Sequence, residues 1–103
     1  MARAKFQTLT EQMFYILLCL REECCGMDVM EKVASMTEGR IQIGAGTMYT
    51  LLADFQKSGM IEETAVEGRK RSYRITEKGR AMLAQEYERL QRQIRDYENI
   101  YGI

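Results

Sequence analysis

Between Gly68 and Arg80 the chain carries six cations, Arg69, Lys70, Arg71, Arg74, Lys78 and Arg80, against one anion, Glu77. Three of the cations are consecutive and follow a glycine. Guanidinium and ammonium groups gathered this closely bind phosphate. Upstream, Thr47, Tyr49 and Thr50 supply hydroxyls and Lys57 a further cation. Such side chains donate to phosphates or meet base edges. The implied chemistry is recognition rather than turnover. The 103 residues contain no histidine, which removes Ser–His and Cys–His nucleophile pairs and most zinc and haem ligand sets. Gly44-Ala45-Gly46 lacks the lysine-bearing pattern of a phosphate loop. Neither an enzyme nor a cofactor is expected.

Fifteen cations balance fifteen anions, so the net charge is zero, which at first argues against a nucleic-acid partner. The distribution argues back. The compensating acids lie elsewhere: Glu22, Glu23, Asp28 and Glu31 near the first turn, and Glu62, Glu63 and Glu67 just before the basic run. Phosphate binding needs a basic face, not a basic total. A charge run alone is ordinarily a solvated surface, so the elements that carry this one decide its meaning.

Thr47 to Ser58 reads as a helix, with Met48, Leu51, Leu52 and Phe55 as its apolar stripe. Its opposite face holds Gly46, Thr50, Ala53 and Lys57, with Thr47 and Tyr49 flanking the N-terminal end. Gly44-Ala45-Gly46 is a permissive lead-in, and Gly59 is the residue type that closes a helix in the left-handed conformation. Met60 to Val66 and Ser72 to Thr76 read as two strands joined by the turn Glu67-Gly68-Arg69-Lys70-Arg71. Tyr73 and Ile75 should pack inward. A helix followed directly by a hairpin with a basic tip suits a reader of double-stranded DNA: the helix enters the major groove and the hairpin flanks it.

The chain before this unit supplies its support. Met1 to Gln7 is a polar arm with Arg3 and Lys5, either a frayed end or a backbone contact. Thr8-Leu9-Thr10-Glu11 fits a capping box, opening a helix to about Glu23 with Leu9, Met13, Ile16, Leu17 and Leu20 as its core stripe. Phe14, Tyr15, Leu18 and Cys19 cover much of its remaining circumference, so it needs burial on two sides. Cys24-Cys25-Gly26 reads as a turn. A second helix, Met27 to Met36, turns Val29, Met30, Val33 and Met36 inward, and Arg40 to Ile43 alternates as a short third strand would. Thr76 can cap a last helix in which Gly79 is a weak point. That helix carries Leu83, Tyr87, Leu90, Ile94, Tyr97 and Tyr101 at spacings of 4, 3, 4, 3 and 4, while Gln85, Glu86, Glu88, Arg89 and Arg92 fill polar faces. This is a heptad seam. With the spare face of the first helix (Phe14, Leu18) it predicts a homodimer.

The expected fold is mainly α with a small β-hairpin. Residues 1–76 would form a winged helix-turn-helix and residues 77–103 a long C-terminal dimerisation helix. The chain starts with Met and shows no secretory pattern, and its longest apolar run, Met13 to Leu20, is too short to span a bilayer. A cytoplasmic protein without membrane contact is expected. Three cysteines, Cys19, Cys24 and Cys25, argue against a disulfide framework, and they are either inert thiols or redox reporters.

The order of these motifs resembles the PadR family of bacterial transcriptional regulators. The residues that carry the likeness are Leu9-Thr10-Glu11 with the apolar run to Leu20, then Gly39 to Leu52, Ser58-Gly59-Met60-Ile61-Glu62, Gly68 to Thr76 and Lys78-Gly79-Arg80. The single C-terminal helix resembles the short subfamily. The likeness implies a homodimeric repressor whose last helix swaps onto the partner's first helix. Cys25-Gly26-Met27-Asp28 departs from the His-Gly-Tyr-Glu-like turn common in the family. Some relatives hold planar hydrophobic drugs against tryptophan between the C-terminal helices. This chain has no tryptophan, although Phe14, Tyr15, Tyr87, Ile94 and Tyr97 can line a small cavity for a hydrophobic effector at the dimer interface. Two other readings stay open: a winged-helix module that binds protein instead of DNA, kept alive by the zero net charge, and an RNA binder, for which only Tyr73 offers a stacking surface.

Overall fold

The computed structural model describes residues 8–103, and the N-terminal arm lies outside the described residues. The chain runs through α1 (Glu11–Cys19), β1 (Cys24–Cys25), α2 (Gly26–Met36), α3 (Ala45–Lys57), β2 (Ile61–Glu67), β3 (Lys70–Ile75) and α4 (Glu77–Tyr101). Ile16, Leu17 and Leu20 from α1 and its C-cap meet Val29 and Val33 from α2 and Met48, Leu52 and Phe55 from α3, all essentially without solvent contact. The stripes read from sequence for α1 and α3 are therefore core-facing, as are Val29 and Val33 of α2. Tyr73 and Ile75 close the core from the sheet side.

The sheet is antiparallel in the order β1-β3-β2. Its third strand is Cys24–Cys25, paired with Tyr73 and Ser72, and not Arg40 to Ile43. The amides of Arg40 and Ile41 are satisfied locally instead. The Arg40 N–H donates to the Thr37 carbonyl at 3.0 Å and the Ile41 N–H to the Thr37 hydroxyl at 3.0 Å. The expected turn at Cys24 is thus a strand, and α1 stops four residues before Glu23. The Leu20 carbonyl accepts from the Ile75 N–H at 2.8 Å, which diverts the chain from helix to sheet.

The start of α1 also differs. Thr10, not Thr8, is the N-cap, its hydroxyl accepting from the Met13 N–H at 3.2 Å. Glu11 turns away from the cap to pair with Arg40. The other carboxylate at this end comes from α4: Glu86 Oε1 accepts from the Leu9 N–H at 3.3 Å. Glu86 is only 4% exposed, so it does not belong on a polar face. Met36, expected inward, is half exposed at the last position of α2, where the buried Thr37 follows as the C-cap.

Helix α3 closes as its glycine suggests. Gly59 has φ 75°, and the Met60 N–H reaches back to the Phe55 carbonyl at 2.9 Å. The hairpin is tighter than expected. Glu67 pairs with Lys70, so only Gly68 and Arg69 form the turn, with Gly68 at φ 62°. Lys70 and Arg71 are strand residues. Thr76 caps α4 by accepting from the Gly79 N–H at 3.2 Å, and its hydroxyl donates to the Gly59 carbonyl at 2.6 Å. One side chain thereby joins the end of α3 to the start of α4.

Four helices with a three-stranded sheet, α2 and α3 forming the helix-turn-helix and β2–β3 the wing, make a winged helix. The 25-residue α4 extends from it for about 37 Å. Among the described residues no helix is long and apolar enough to cross a membrane.

Candidate nucleic-acid interface

Thr47, Tyr49, Thr50 and Lys57 all lie exposed on α3, while Met48, Leu52 and Phe55 anchor its other side. The helix begins at Ala45 with Gly44 at the cap position and no side chain bonded to its first amides. Beta-carbons at Gly44 or Gly46 would have no atom within 4 Å among the described residues. The first turn of α3 thus presents free N–H groups and a smooth surface, the usual makings of a phosphate seat.

Tyr49 meets the wing across a cleft of about 640 Å³, lined by Gly26, Met27 and Asp28 at the start of α2, by Tyr73, and by Arg69, Lys70 and Arg71. Of the DNA-contacting residues expected from sequence, four share this cleft. Thr47, Thr50 and Lys57 lie on the helix face outside it. The Tyr49 ring packs on Gly26, where a β-carbon would stand 3.0 Å from Tyr49 Cε1. Gly26 therefore lets the tyrosine come close to the start of α2 where both line the cleft. Tyr73 also lines the cleft, and burial pushes its phenol above the ordinary value.

The three wing cations are not equivalent. Arg69 sits in the turn and Lys70 at the first strand position, and neither has an ion-pair partner among the described residues. Arg71 donates to Glu63 of β2 at 3.2 Å, so part of its charge is answered within the hairpin. Of the acids on the first strand, Glu63 makes an ion pair with Arg71, while Glu67 stands opposite Lys70 in the ladder without one among the described residues.

The residues expected at a dimer interface form a separate surface. Leu83 is half-buried against the core. Tyr87, Leu90, Ile94, Tyr97 and Tyr101 are exposed along α4, and Tyr97 and Tyr101 lie ring to ring at 5.0 Å. Phe14 and Leu90 line a groove of about 420 Å³ between α1 and α4, together with Tyr15, Glu86 and Arg89. Leu18 borders a different recess, beside Cys19, Lys32 and Met36. Cys19, Cys24 and Cys25 are buried free thiols, and burial raises Cys19 and Cys24 above the ordinary thiol value.

Two features of these surfaces escape a reading of the sequence. The α2 start enters the cleft because Cys24–Cys25 is a strand that carries Gly26 up to Tyr49. Arg40 joins Glu11 and Tyr15 across 29 and 25 positions, a separation for which no periodicity gives a signal.

The fold has well-matched counterparts among solved structures. A PadR family transcriptional regulator from Eggerthella lenta superposes with a TM-score of 0.75 at 21% identity, covering 86% of this chain and 80% of that one. A PadR-like transcriptional regulator from Bacillus cereus superposes at 0.71 with 23% identity, covering 86% and 89%. RosR from H. salinarum superposes at 0.67 with 18% identity, covering 92% and 96%. At these identities the likeness is one of fold. No curated protein matches the chain at a significant level. Residues 16–85, more than half of the sequence and the frame from the last turn of α1 through the wing to the first turns of α4, match the Transcriptional regulator PadR-like family, and the chain belongs to that family.

Proposed function

We propose that this regulator is a homodimeric, sequence-specific DNA-binding repressor of an inverted-repeat operator. Its α3 enters the major groove, with Thr47, Tyr49, Thr50 and Lys57 toward bases and phosphates, and Arg69, Lys70 and Arg71 on the wing hold the adjacent backbone. The observation that carries this reading is the cleft in which Tyr49 of α3 faces all three wing cations. The uncapped first turn of α3 supports it. In the dimer, the seam of α4 and the spare face of α1 cover one another, and the α1–α4 groove offers a small hydrophobic effector a place from which to release the DNA. Two copies of α3 related by a two-fold axis read half-sites about 34–36 Å apart. The cytoplasm is the compartment in which such a protein works.

The test is binding to DNA from upstream of its own coding region, titrated against random competitor at several salt concentrations. Competitor-resistant binding by two protomers, weakening steeply with salt, is expected. Replacing Arg69, Lys70 and Arg71 by Ala lowers affinity for all sequences and flattens the salt slope. The expected loss is about 2 rather than 3 units of slope, since Glu63 already answers part of the Arg71 charge. An unchanged slope excludes the wing. Weak binding, equal for every DNA, rejects the operator reading for this fragment and moves attention to a protein partner.

A further inference from the structure

We propose that Arg40 is a positioning residue for α3, holding the loop that enters this helix against the wall of the α1–α4 groove. The inference rests on the DNA-reading role given to α3 above. The loop from Thr37 to Gly44 connects the two helices of the helix-turn-helix. Its first half is fixed from within. The Thr37 hydroxyl is buried and donates to the Val33 carbonyl at 2.7 Å, Glu38 and Gly39 take φ 52° and 78°, and the Gly39 N–H reaches the Ala34 carbonyl at 2.7 Å. Its second half is held by the Ile41 N–H on the Thr37 hydroxyl and by the buried Ile43, then runs into a helix start with no side-chain cap and open space around Gly44 and Gly46. The deep anchors of α3 begin only at Met48. What locates the exposed first turn is therefore the loop before it.

Arg40 ties that loop to α1 with three contacts from one guanidinium. Nη1 donates to Glu11 Oε2 at 2.6 Å, Nη2 donates to the Tyr15 hydroxyl at 3.1 Å, and the guanidinium carbon lies 5.9 Å from the centre of the Tyr15 ring. Glu11 and Tyr15 are one helical turn apart, so the planar fork spans a single turn of α1. The ion pair is solvent-exposed on both sides, and such pairs add little to folding. Its consequence is geometric: together with the buried Ile43, it holds the loop that leads into the first turn of α3. The α1 end of this contact is also groove wall. Glu11, Phe14 and Tyr15 line the cavity with Leu90, and the Tyr15 ring meets Phe14 edge-on at 5.7 Å. A change on the groove wall is thus one residue removed from the loop that delivers α3.

The experiment uses the full chain with Arg40→Ala, Glu11→Gln, Tyr15→Phe and the double variant Arg40→Ala/Glu11→Gln. It reads operator affinity, melting temperature and hydrogen exchange of the amides of residues 41–48. Each single change is expected to lower affinity by about three- to ten-fold, with the double variant close to the worse single one. Melting should shift by no more than about 2 °C. Exchange at residues 41–48 should rise while the core helices stay protected. If Arg40 instead touched a DNA phosphate directly, freeing it by Glu11→Gln would tighten binding, and Tyr15→Phe would leave it unchanged. Either result overturns the positioning role, as does unaltered exchange at residues 41–48 in Arg40→Ala. Exchange is measured without DNA. Failure of the wild-type chain to bind any operator would therefore reject the DNA reading, while the exchange comparison alone still decides whether Arg40 fixes the loop.

Discussion

A β-carbon at position 79 would lie 2.2 Å from the Met60 carbonyl oxygen and 2.7 Å from Ile75 Cγ1. The first turn of α4 is laid directly on the α3–β2 junction, and only glycine allows the approach. In an exposed helix the change from glycine to alanine would stabilise by about 1 kcal/mol. Here the sign reverses, since backbone and not a flexible side-chain tip blocks the new atom. Gly79→Ala should destabilise the fold by about 1–3 kcal/mol, measured by urea or thermal unfolding. A gain in stability would show that α4 can lift from Met60 without cost. Tyr49 and Gly26 make the opposite kind of pair, an exposed ring laid on a glycine, and what depends on them is the shape of the cleft rather than the core.

At the scale of elements, α1 and α4 are joined through Glu86. Its carboxylate takes the Leu9 N–H and the guanidinium of Arg89, which also donates to Gln93. The hydrogen bonds from Arg89 hold the Glu86 carboxyl below the usual carboxylate range, burial pushes it up, and the Leu9 amide adds to the lowering. A carboxyl whose value is depressed on folding contributes stability above its unfolded value, near 4.3, and that stability fades as the pH falls through the folded value. Glu86→Gln should therefore melt below wild type at pH 7, and the gap should narrow as the pH drops below about 4. Thermal melts across pH 7 to 3 provide the check. A gap independent of pH would mean that Glu86 acts through packing alone.

On the scale of the whole molecule, one long side of the chain is left apolar. Tyr87, Ile94 and Tyr97 are each 57% exposed, with Leu90 between them, on a helix that reaches beyond its own core. An apolar stripe of this length with no cover among the described residues marks an interaction surface, and the heptad spacing matches a second helix. Leu90→Lys with Ile94→Lys should give monomers in sedimentation equilibrium while helix content is retained, because neither side chain carries the core of its own chain. In the proposed dimer, four apolar side chains lost across the two-fold axis, at about 1.5 kcal/mol each, weaken association by about ten-thousandfold or more. A stable dimer of this variant would refute the seam.

The sequence by itself determined the helical stripes of α1 and α3, the left-handed glycine after α3, the Thr76 cap and the inward pair Tyr73 and Ile75. These are local: each follows from periodicity or from the conformational preference of one residue type, and neighbouring residues along the chain carry the whole signal. It also showed a basic tip after α3, because charge along a short stretch is visible without knowing where the stretch folds. Only the tertiary structure decided which two-residue segment completes the sheet, which threonine caps α1, and that Glu86 is buried while Met36 is not. It alone showed that Arg71 is partly answered by Glu63 and that Arg40 reaches α1. Those outcomes depend on partners brought together from distant positions. A cysteine pair becomes a strand when the edge of β3 is free beside it, and a glutamate on a charged helix goes inside when an amide and an arginine are there to meet it.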